Sequence, residues 1–531
     1  RCAQDFAKQD TDLPLPWLQA LVQAASGDWQ RLGQIDQAMP NGSVVLRRLN
    51  LEIAELRGKA LTEWPEASAA LKARHLSQAC IARAEMGQRE EALEAALEAV
   101  EIYRELARQR PDAFRPDLAT SLSTVSSRLS ALGRQEEALK AAREALEIRR
   151  MLTRQRPDIF RPDLAMSLSN MAIQLGDLGQ REEALKAARE AVEIRRKLAQ
   201  QRPDVFSPEL AFSLNNVAIR LSDLGQREEA LEAAREAVEI RRGLAWQRPD
   251  AFRSDLANSL NNVSSFLIAL GQGEEALEAA REAVNIYREL AQQHPDAFRS
   301  DLADSLNNVA GVLGELDQRE EALEAGREAL EIRRMLTGQR PDVFRPDLAM
   351  SLNNVAIRLS DLGQREEALE AARESVEIYR ELARHRPGIF HPGLAMSLNN
   401  VANRLSDLGQ REDALDAARE AVEIYRELTQ HRPDAFRPNL ARSLAVMGLR
   451  LEESGAPMAE CVICFAEALA TLTPAFLRYP AGLMSLMGYL IGAYEEKAQT
   501  ASIEPDMALL TPILEVMQRL QPSPEHQGEP T

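Results

Sequence analysis

Aromatic residues make up only 5% of this 531-residue chain, and it holds just four cysteines and six histidines. A chain so poor in aromatics and so rich in alanine, leucine, glutamate and arginine has the composition of long packed helices rather than of sheets. The cysteines, at Cys2, Cys80, Cys461 and Cys464, are too few and too scattered for a disulfide framework, so a reducing cytoplasm fits them best. Long apolar runs are also missing: the longest, Gly482 to Tyr494, is too short to span a bilayer, and Arg1 to Asp12 offer no signal-peptide core. No membrane association is expected. Phosphate-binding glycine loops, metalloprotease helices, nucleophile elbows and dinucleotide-binding glycine strings are all absent, which argues against an enzyme, a cofactor or a metal within these residues.

Positive charge is in short supply too. The formal net charge is -18 and the isoelectric point near 5.1, with the acidic excess spread along the chain. From Pro203 to Arg248 there are eight acidic and six basic side chains. Nucleic acid is therefore disfavoured as a partner, because a backbone-tracking surface needs a Lys/Arg stripe to displace counterions. A basic partner is electrostatically compatible.

What the chain has in abundance is repetition. Pro111, Pro157, Pro203, Pro249, Pro295, Pro341, Pro387 and Pro433 recur every 46 residues, each followed three residues later by a phenylalanine, Phe114 through Phe436. Fixed-period self-similarity is the signature of a solenoid, in which each unit buries its apolar face only against its neighbours. Within one unit, Leu210, Leu214, Val217, Leu221 and Leu224 form an apolar stripe at three- and four-residue steps, predicting a helix that opens at Pro208 and stops at Gly225. Glu228 and Glu229 then open a second helix where the dipole favours carboxylates, and it runs to about Gln247 before Pro249 ends it. The corner after it is read as polar apart from Phe252, an anchor between adjacent repeats. Arg235, Arg241 and Arg242, interleaved with glutamates, read as a solvated helix face.

The strings Leu214-Asn215-Asn216-Val217-Ala218 and Gly225-Gln226-Arg227-Glu228-Glu229-Ala230-Leu231, with Ala237 seven beyond Ala230, resemble a tetratricopeptide repeat. The 46-residue period is similar to that of the long repeats of kinesin light chains. The resemblance covers roughly residues 66 to 470 and implies an all-α fold, an α-α superhelical solenoid of about nine helix pairs with helical caps. The expected organisation is a helical cap or end of an upstream domain at 1–64, carrying Trp17, Trp29 and Trp64; the repeat array at 65–470; a C-terminal helical cap at 471–521, broken by Pro480, Pro505 and Pro512; and a disordered tail at 522–531. One unit departs from the rest, with Asp317 where others have glycine and Gly326 where others have alanine. Its corner is expected to be strained or differently closed.

In such families the first helices line a concave groove, so the resemblance implies partner binding there, to a protein or peptide. Candidates are the asparagines Asn170, Asn215, Asn216, Asn261, Asn262, Asn307, Asn308, Asn353, Asn354, Asn399 and Asn400, whose carboxamides can donate to and accept from a peptide backbone whatever its sequence. They read equally as a structural ladder between neighbouring helices, or as one asparagine of each pair doing each task. Because the units are near copies, positions that differ among them are not dictated by the scaffold. Two such positions hold Met166, Phe212, Met350 and Met396, and Arg128, Arg220, Arg358 and Arg404. They tune specificity along a bound segment, or they drift neutrally on an exposed surface.

The remaining chemistry-bearing residues read as structural. Cys461-Val462-Ile463-Cys464 lies in an apolar helix without a second ligand pair, and His385 and His431 are one surface position duplicated. The expected function is a non-catalytic interaction scaffold. The alternative is the sensor arm of a larger bacterial signalling protein whose nucleotide-dependent switch or caspase-like protease lies upstream of Arg1 or on a partner. Self-association through ends or convex faces is the third possibility.

Overall fold

The computed structural model describes residues 47–62 and 68–520, with short stretches at 22–25, 28, 31–32 and 34–35. Trp17, Trp29, Trp64, Cys2 and the tail at 522–531 lie outside the described residues. All regular secondary structure among the described residues is α-helical, and most helices are 21 residues long. The chain divides into two compact units, one comprising 1–175, 186–207 and 288–299, the other 176–185, 208–287 and 300–531.

The unit at 341–386 shows how the repeat is built. Its first helix, Pro341–Asp361, begins at the corner proline rather than at the second proline, five residues on. Arg340 (φ -142°, ψ 75°) ends the preceding helix, and Pro341 enters the next as its first residue, where a missing N–H costs nothing. The Arg-Pro-Asp-Val-Phe corner is thus a helical first turn, which corrects the predicted start. Pro346 sits inside the helix, and the carbonyl it deprives of a donor belongs to Asp342 on the exposed first turn, where solvent can satisfy it. At the far end Gly363 adopts φ 73°, while its amide and that of Gln364 bond back to Ser360 and Leu359 at 2.9 Å. This is the left-handed stop expected of glycine. The second helix, Arg365–His385, carries Glu366 and Glu367 in its first turn.

Alanine decides how closely the helices approach. Ala119, Ala165, Ala211, Ala257, Ala303, Ala349, Ala395 and Ala441 on the first helices are all 0% exposed, as are Ala92, Ala138, Ala184, Ala230, Ala276, Ala322, Ala368 and Ala414 on the second. Leu352, Leu398 and Leu444 fill the space between them. The corner phenylalanine is half-buried in most repeats and lies under the corner arginine, with Arg248 4.8 Å from the Phe252 ring and Arg432 4.6 Å from Phe436.

Of the second-helix arginines, Arg235 and Arg242 lie on the exposed face that the sequence predicts, and Arg241 does not. Arg235 and Arg242 reach across to the next repeat, bonding Glu275 at 2.8 Å and Glu282 at 3.0 Å, and the same 40-residue step links Arg334 to Glu374 and Arg380 to Glu420. Arg241 is buried, not solvated, and donates to the Asp255 carbonyl at 2.7 Å and the Ser259 hydroxyl at 2.6 Å.

Toward the C-terminus the repeat geometry persists past residue 470. Met458–Arg478 and Pro480–Thr500 are again 21-residue helices, and Tyr479 between them has φ -133°, close to the -136° of Arg432. The expected boundary at 470/471 thus falls inside a helix. Pro512 lies within the helix Met507–Leu520 and does not break it. Met458–Arg478 is long and apolar enough to cross a membrane by length and composition, a property the run-length reading missed, yet half of its apolar window is buried against neighbouring helices. Cys464 there donates its thiol to the Leu444 carbonyl at 3.1 Å, and burial pushes its pKa up to about 12. Cys461 and Cys80 are also buried thiols with raised pKa. They behave as small apolar side chains.

The deviant unit keeps the common corner at a cost. Asp317 is held at φ 59°, with Gln318 bonded to Leu313 at 2.9 Å as at the glycine corners. A Cβ on Gly326 would lie 3.4 Å from Val355 Cγ2, an ordinary contact. We expect Asp317→Gly to stabilise the protein by about 1 kcal/mol through relief of left-handed strain, since the exposed Arg319–Asp317 pair it removes contributes little. Gly326→Ala should add roughly 1 kcal/mol from helix propensity. Denaturant titrations followed by circular dichroism measure both, and a fall in midpoint for either variant contradicts this account of the corner.

His75, buried between Arg57 and Arg83, has its pKa lowered to about 4, first by burial and then by those two arginines. An unfolded histidine takes up its proton near pH 6.5, so stability attached to this group is present above pH 6.5 and is lost as pH falls from 6.5 toward 4. His75→Gln should flatten that part of the stability–pH curve, and an unchanged curve would rule the assignment out.

Candidate functional site

The stripe of each first helix that faces solvent is set by helical spacing. In the unit at 341–386 it comprises Met350, Asn354 and Ile357, at four- and three-residue steps, opposite the buried Leu352, Val355 and Leu359. Met166, Phe212, Met350 and Met396 occupy the same position in different repeats and are 39% to 43% exposed. Thr120, Asn258, Asp304 and Arg442 take that position elsewhere, all exposed. The stripe is apolar in some repeats and polar in others.

Each asparagine pair is divided in two. The first member is structural: Asn215 Nδ2 donates to Ser259 Oγ at 2.9 Å, Asn261 to Ser305 at 2.7 Å, Asn307 to Ser351 at 2.9 Å, Asn353 to Ser397 at 2.6 Å and Asn399 to Ser443 at 2.6 Å. This ladder joins consecutive first helices through hydroxyls that are fully buried at Ser259, Ser305, Ser351, Ser397 and Ser443. The second member, Asn216, Asn262, Asn308, Asn354 or Asn400, is half-buried and one step round the helix. Asn308 donates to Asn261 Oδ1 at 3.3 Å, whereas Asn216 Nδ2 is enclosed without a partner. Asn170 occupies the second-member position, with Ser169 in place of the first.

The arginine candidates separate from the asparagines. Arg220, Arg358 and Arg404 are only 14% to 17% exposed and fold back onto Asp223 at 3.2 Å, Asp361 at 3.1 Å and Asp407 at 3.5 Å. Arg220 and Arg358 fill the space that a side chain at Gly176 and Gly314 would otherwise need. Arg128 is half-buried and donates to Ser127 at 3.1 Å. These arginines fill gaps between repeats.

The sequence reading missed a buried polar row on the second helices. Arg149, Arg241 and Arg333 are buried there; Tyr103, Tyr287, Tyr379 and Tyr425 occupy the same position in other repeats. Tyr287 donates to the Ser254 carbonyl at 3.0 Å, and Tyr425 to that of Pro392 at 3.2 Å. Arg333, 1% exposed, binds Ser300 Oγ at 2.6 Å, Asp347 Oδ2 at 3.3 Å and Asp304. Burial, and then the nearby Asp304, raise the pKa of Asp301, and burial raises that of Asp347 against the opposing pull of Arg333. A signal was present in the sequence: this position holds only arginine or tyrosine, both long side chains with a polar tip. Among the described residues no group of three or more His, Cys, Asp or Glu side chains is placed to hold a metal ion.

Asn353→Ala removes a buried bond to the Ser397 hydroxyl, which keeps the Gly393 carbonyl and the Ser375 hydroxyl as partners, so it should cost about 1 kcal/mol, whereas Asn354→Ala should change stability by less than about 0.5 kcal/mol. Paired urea titrations decide this, and equal losses for the two variants would refute the division of roles.

A family model described as tetratricopeptide repeat matches residues 163–243, 255–335 and 301–381, and a second with the same description matches 118–153 and 394–432. One described as anaphase-promoting complex subunit 5 matches residues 65–112. No curated protein matches the chain. Among solved structures, BtubC (BKLC) from P. vanneervenii is similar at 18% identity, with 57% of this chain and 97% of that one covered and a TM-score of 0.37. The nearly identical TPR-like repeats of a kinesin light chain-like protein from Podosopora anserina match at 23% identity, 41% and 95% coverage and a TM-score of 0.33. A Rap protein complexed with Competence and Sporulation Factor matches at 17% identity, 71% and 100% coverage and a TM-score of 0.43. The assignment rests on the family models, which together span more than half of the sequence: the chain belongs to the tetratricopeptide repeat family.

Proposed function

We propose that this protein is a non-catalytic interaction scaffold that binds an extended peptide, or an extended segment of a partner protein, along the solvent-facing stripe of its first helices. The division of each asparagine pair carries this reading. Five first members are committed to the inter-repeat ladder, while the second members at Asn262, Asn354 and Asn400 make no side-chain hydrogen bond among the described residues and remain half-exposed beside it. A row of carboxamides at the repeat spacing suits the regular donors and acceptors of an extended backbone.

Met350 and Met396, with Ile357 beside the first, supply the apolar contacts, and methionine adapts its shape to different side chains. The acidic balance of the chain favours a segment that carries lysine or arginine as well as aliphatic residues. Binding is therefore expected to weaken with added salt.

The test is a fluorescence-anisotropy screen of the full chain against a peptide library, repeated on Asn262→Ala/Asn354→Ala/Asn400→Ala and on Met350→Asp/Met396→Asp. Peptides retained by the wild type should bind at least tenfold more weakly to each variant, while the unfolding free energy stays within about 0.5 kcal/mol of the wild type. Unchanged affinity in both variants would remove the first-helix stripe as the binding surface.

A further inference from the structure

The corner glycines offer an internal comparison. Gly179, Gly225, Gly271, Gly363 and Gly409 all have φ between 73° and 77°, so a side chain at any of them carries the same backbone strain. At Gly271, Gly363 and Gly409 a Cβ would meet nothing within 4 Å. At Gly179 it would lie 2.6 Å from the carbonyl carbon of Asp434 and 2.8 Å from the Ala435 nitrogen, and at Gly225 it would lie 2.5 Å from the Gly482 nitrogen. Two corners of the second unit are therefore pressed, backbone to backbone, against corners more than 250 residues further along the chain.

Side chains reinforce the first of these contacts. Arg478 bonds Glu182 at 3.1 Å and lies 3.7 Å from Asp434, and the Arg181 guanidinium sits 5.3 Å above the Tyr479 ring. Asp177 and Arg432 face each other electrostatically, and burial raises the pKa of the acid and lowers that of the base. The sequence departs from its own pattern at this place. Elsewhere the two residues ending the second helix are Gln-Arg, Gln-His or His-Arg, as at Gln247-Arg248, Gln293-His294 and His431-Arg432, but here they are Arg478-Tyr479. The exchange supplies the cation that Glu182 and Asp434 share and the ring that Arg181 covers.

We infer that the second unit carries a latch, in which the corner Asp177–Glu182 docks onto Arg432–Ala435 and Arg478–Tyr479 and the corner at Gly225 onto Ala481–Gly482, and that engagement of this latch sets whether the unit is closed or open. Exposed ion pairs and a cation–π contact are individually weak, and glycine at the contact adds only close backbone approach, so the latch is reversible rather than a permanent seam. It holds the ends of the intervening run of repeats at one separation, and its strength varies with ionic strength. The inference does not depend on the ligand proposed above.

Small-angle X-ray scattering of the full chain tests it. Arg478→Gln/Tyr479→Arg restores the common corner and should increase the radius of gyration, with helix content unchanged by circular dichroism. Gly179→Ala should increase it as well, whereas Gly363→Ala, with equal backbone strain and open space around it, should not. The latch is refuted if Arg478→Gln/Tyr479→Arg leaves the scattering curve of the wild type unchanged, or if Gly179→Ala and Gly363→Ala shift it alike.

Discussion

Every other feature of this protein depends on the close approach of helices at alanine. A 46-residue unit has too little apolar surface to bury by itself, and stability comes from stacking. Stacking at a constant spacing requires that the contact residue be small and the same in each copy. One alanine on each first helix and one on each second helix meet that requirement at zero exposure through eight consecutive units. A larger residue at one of them would push a single pair of helices apart and break the repeat spacing, with overpacking costs of about 1–3 kcal/mol. Gly326, where its copies have alanine, is the opposite departure, an under-filled contact.

Given that spacing, polar groups can be used repetitively. Asparagine-to-serine bonds link first helices at a step of 44 residues, and arginine-to-glutamate pairs link second helices at a step of 40. The two ladders differ in kind. The asparagine ladder is buried or partly buried, where hydrogen bonds are not screened, and it fixes register. The arginine ladder is exposed and screened by salt; it contributes solubility and a modest preference for neighbours. The positions that neither ladder uses, the Met350-type position and the second asparagine at Asn262, Asn354 and Asn400, are the ones assigned to the peptide binding proposed above.

Much of this was legible in the sequence. The period, the two helices, the glycine stop and the exposed variable position all follow from local rules: proline lacks a donor, glycine tolerates positive φ, and apolar residues at three- and four-residue steps share a face. Local rules could also flag Asp317, whose left-handed φ of 59° keeps the common corner. They placed the helix start five residues late because Pro346 is a permissible early helical residue as well as a plausible first one. They read Arg241 as solvated because arginine between glutamates looks alike on an exposed face and over a buried serine.

The sequence by itself determined the repeating unit, its all-helical class and the exposed Met350-type position, since these depend on interactions within about one turn of helix or between identical neighbours. Tertiary structure decided which asparagine of each pair is committed, which arginines are buried, and that the corners at Gly179 and Gly225 meet those at Asp434 and Gly482. The first two depend on what the adjacent repeat places opposite a side chain. The last joins corners more than 250 residues apart in sequence, which no local pattern encodes.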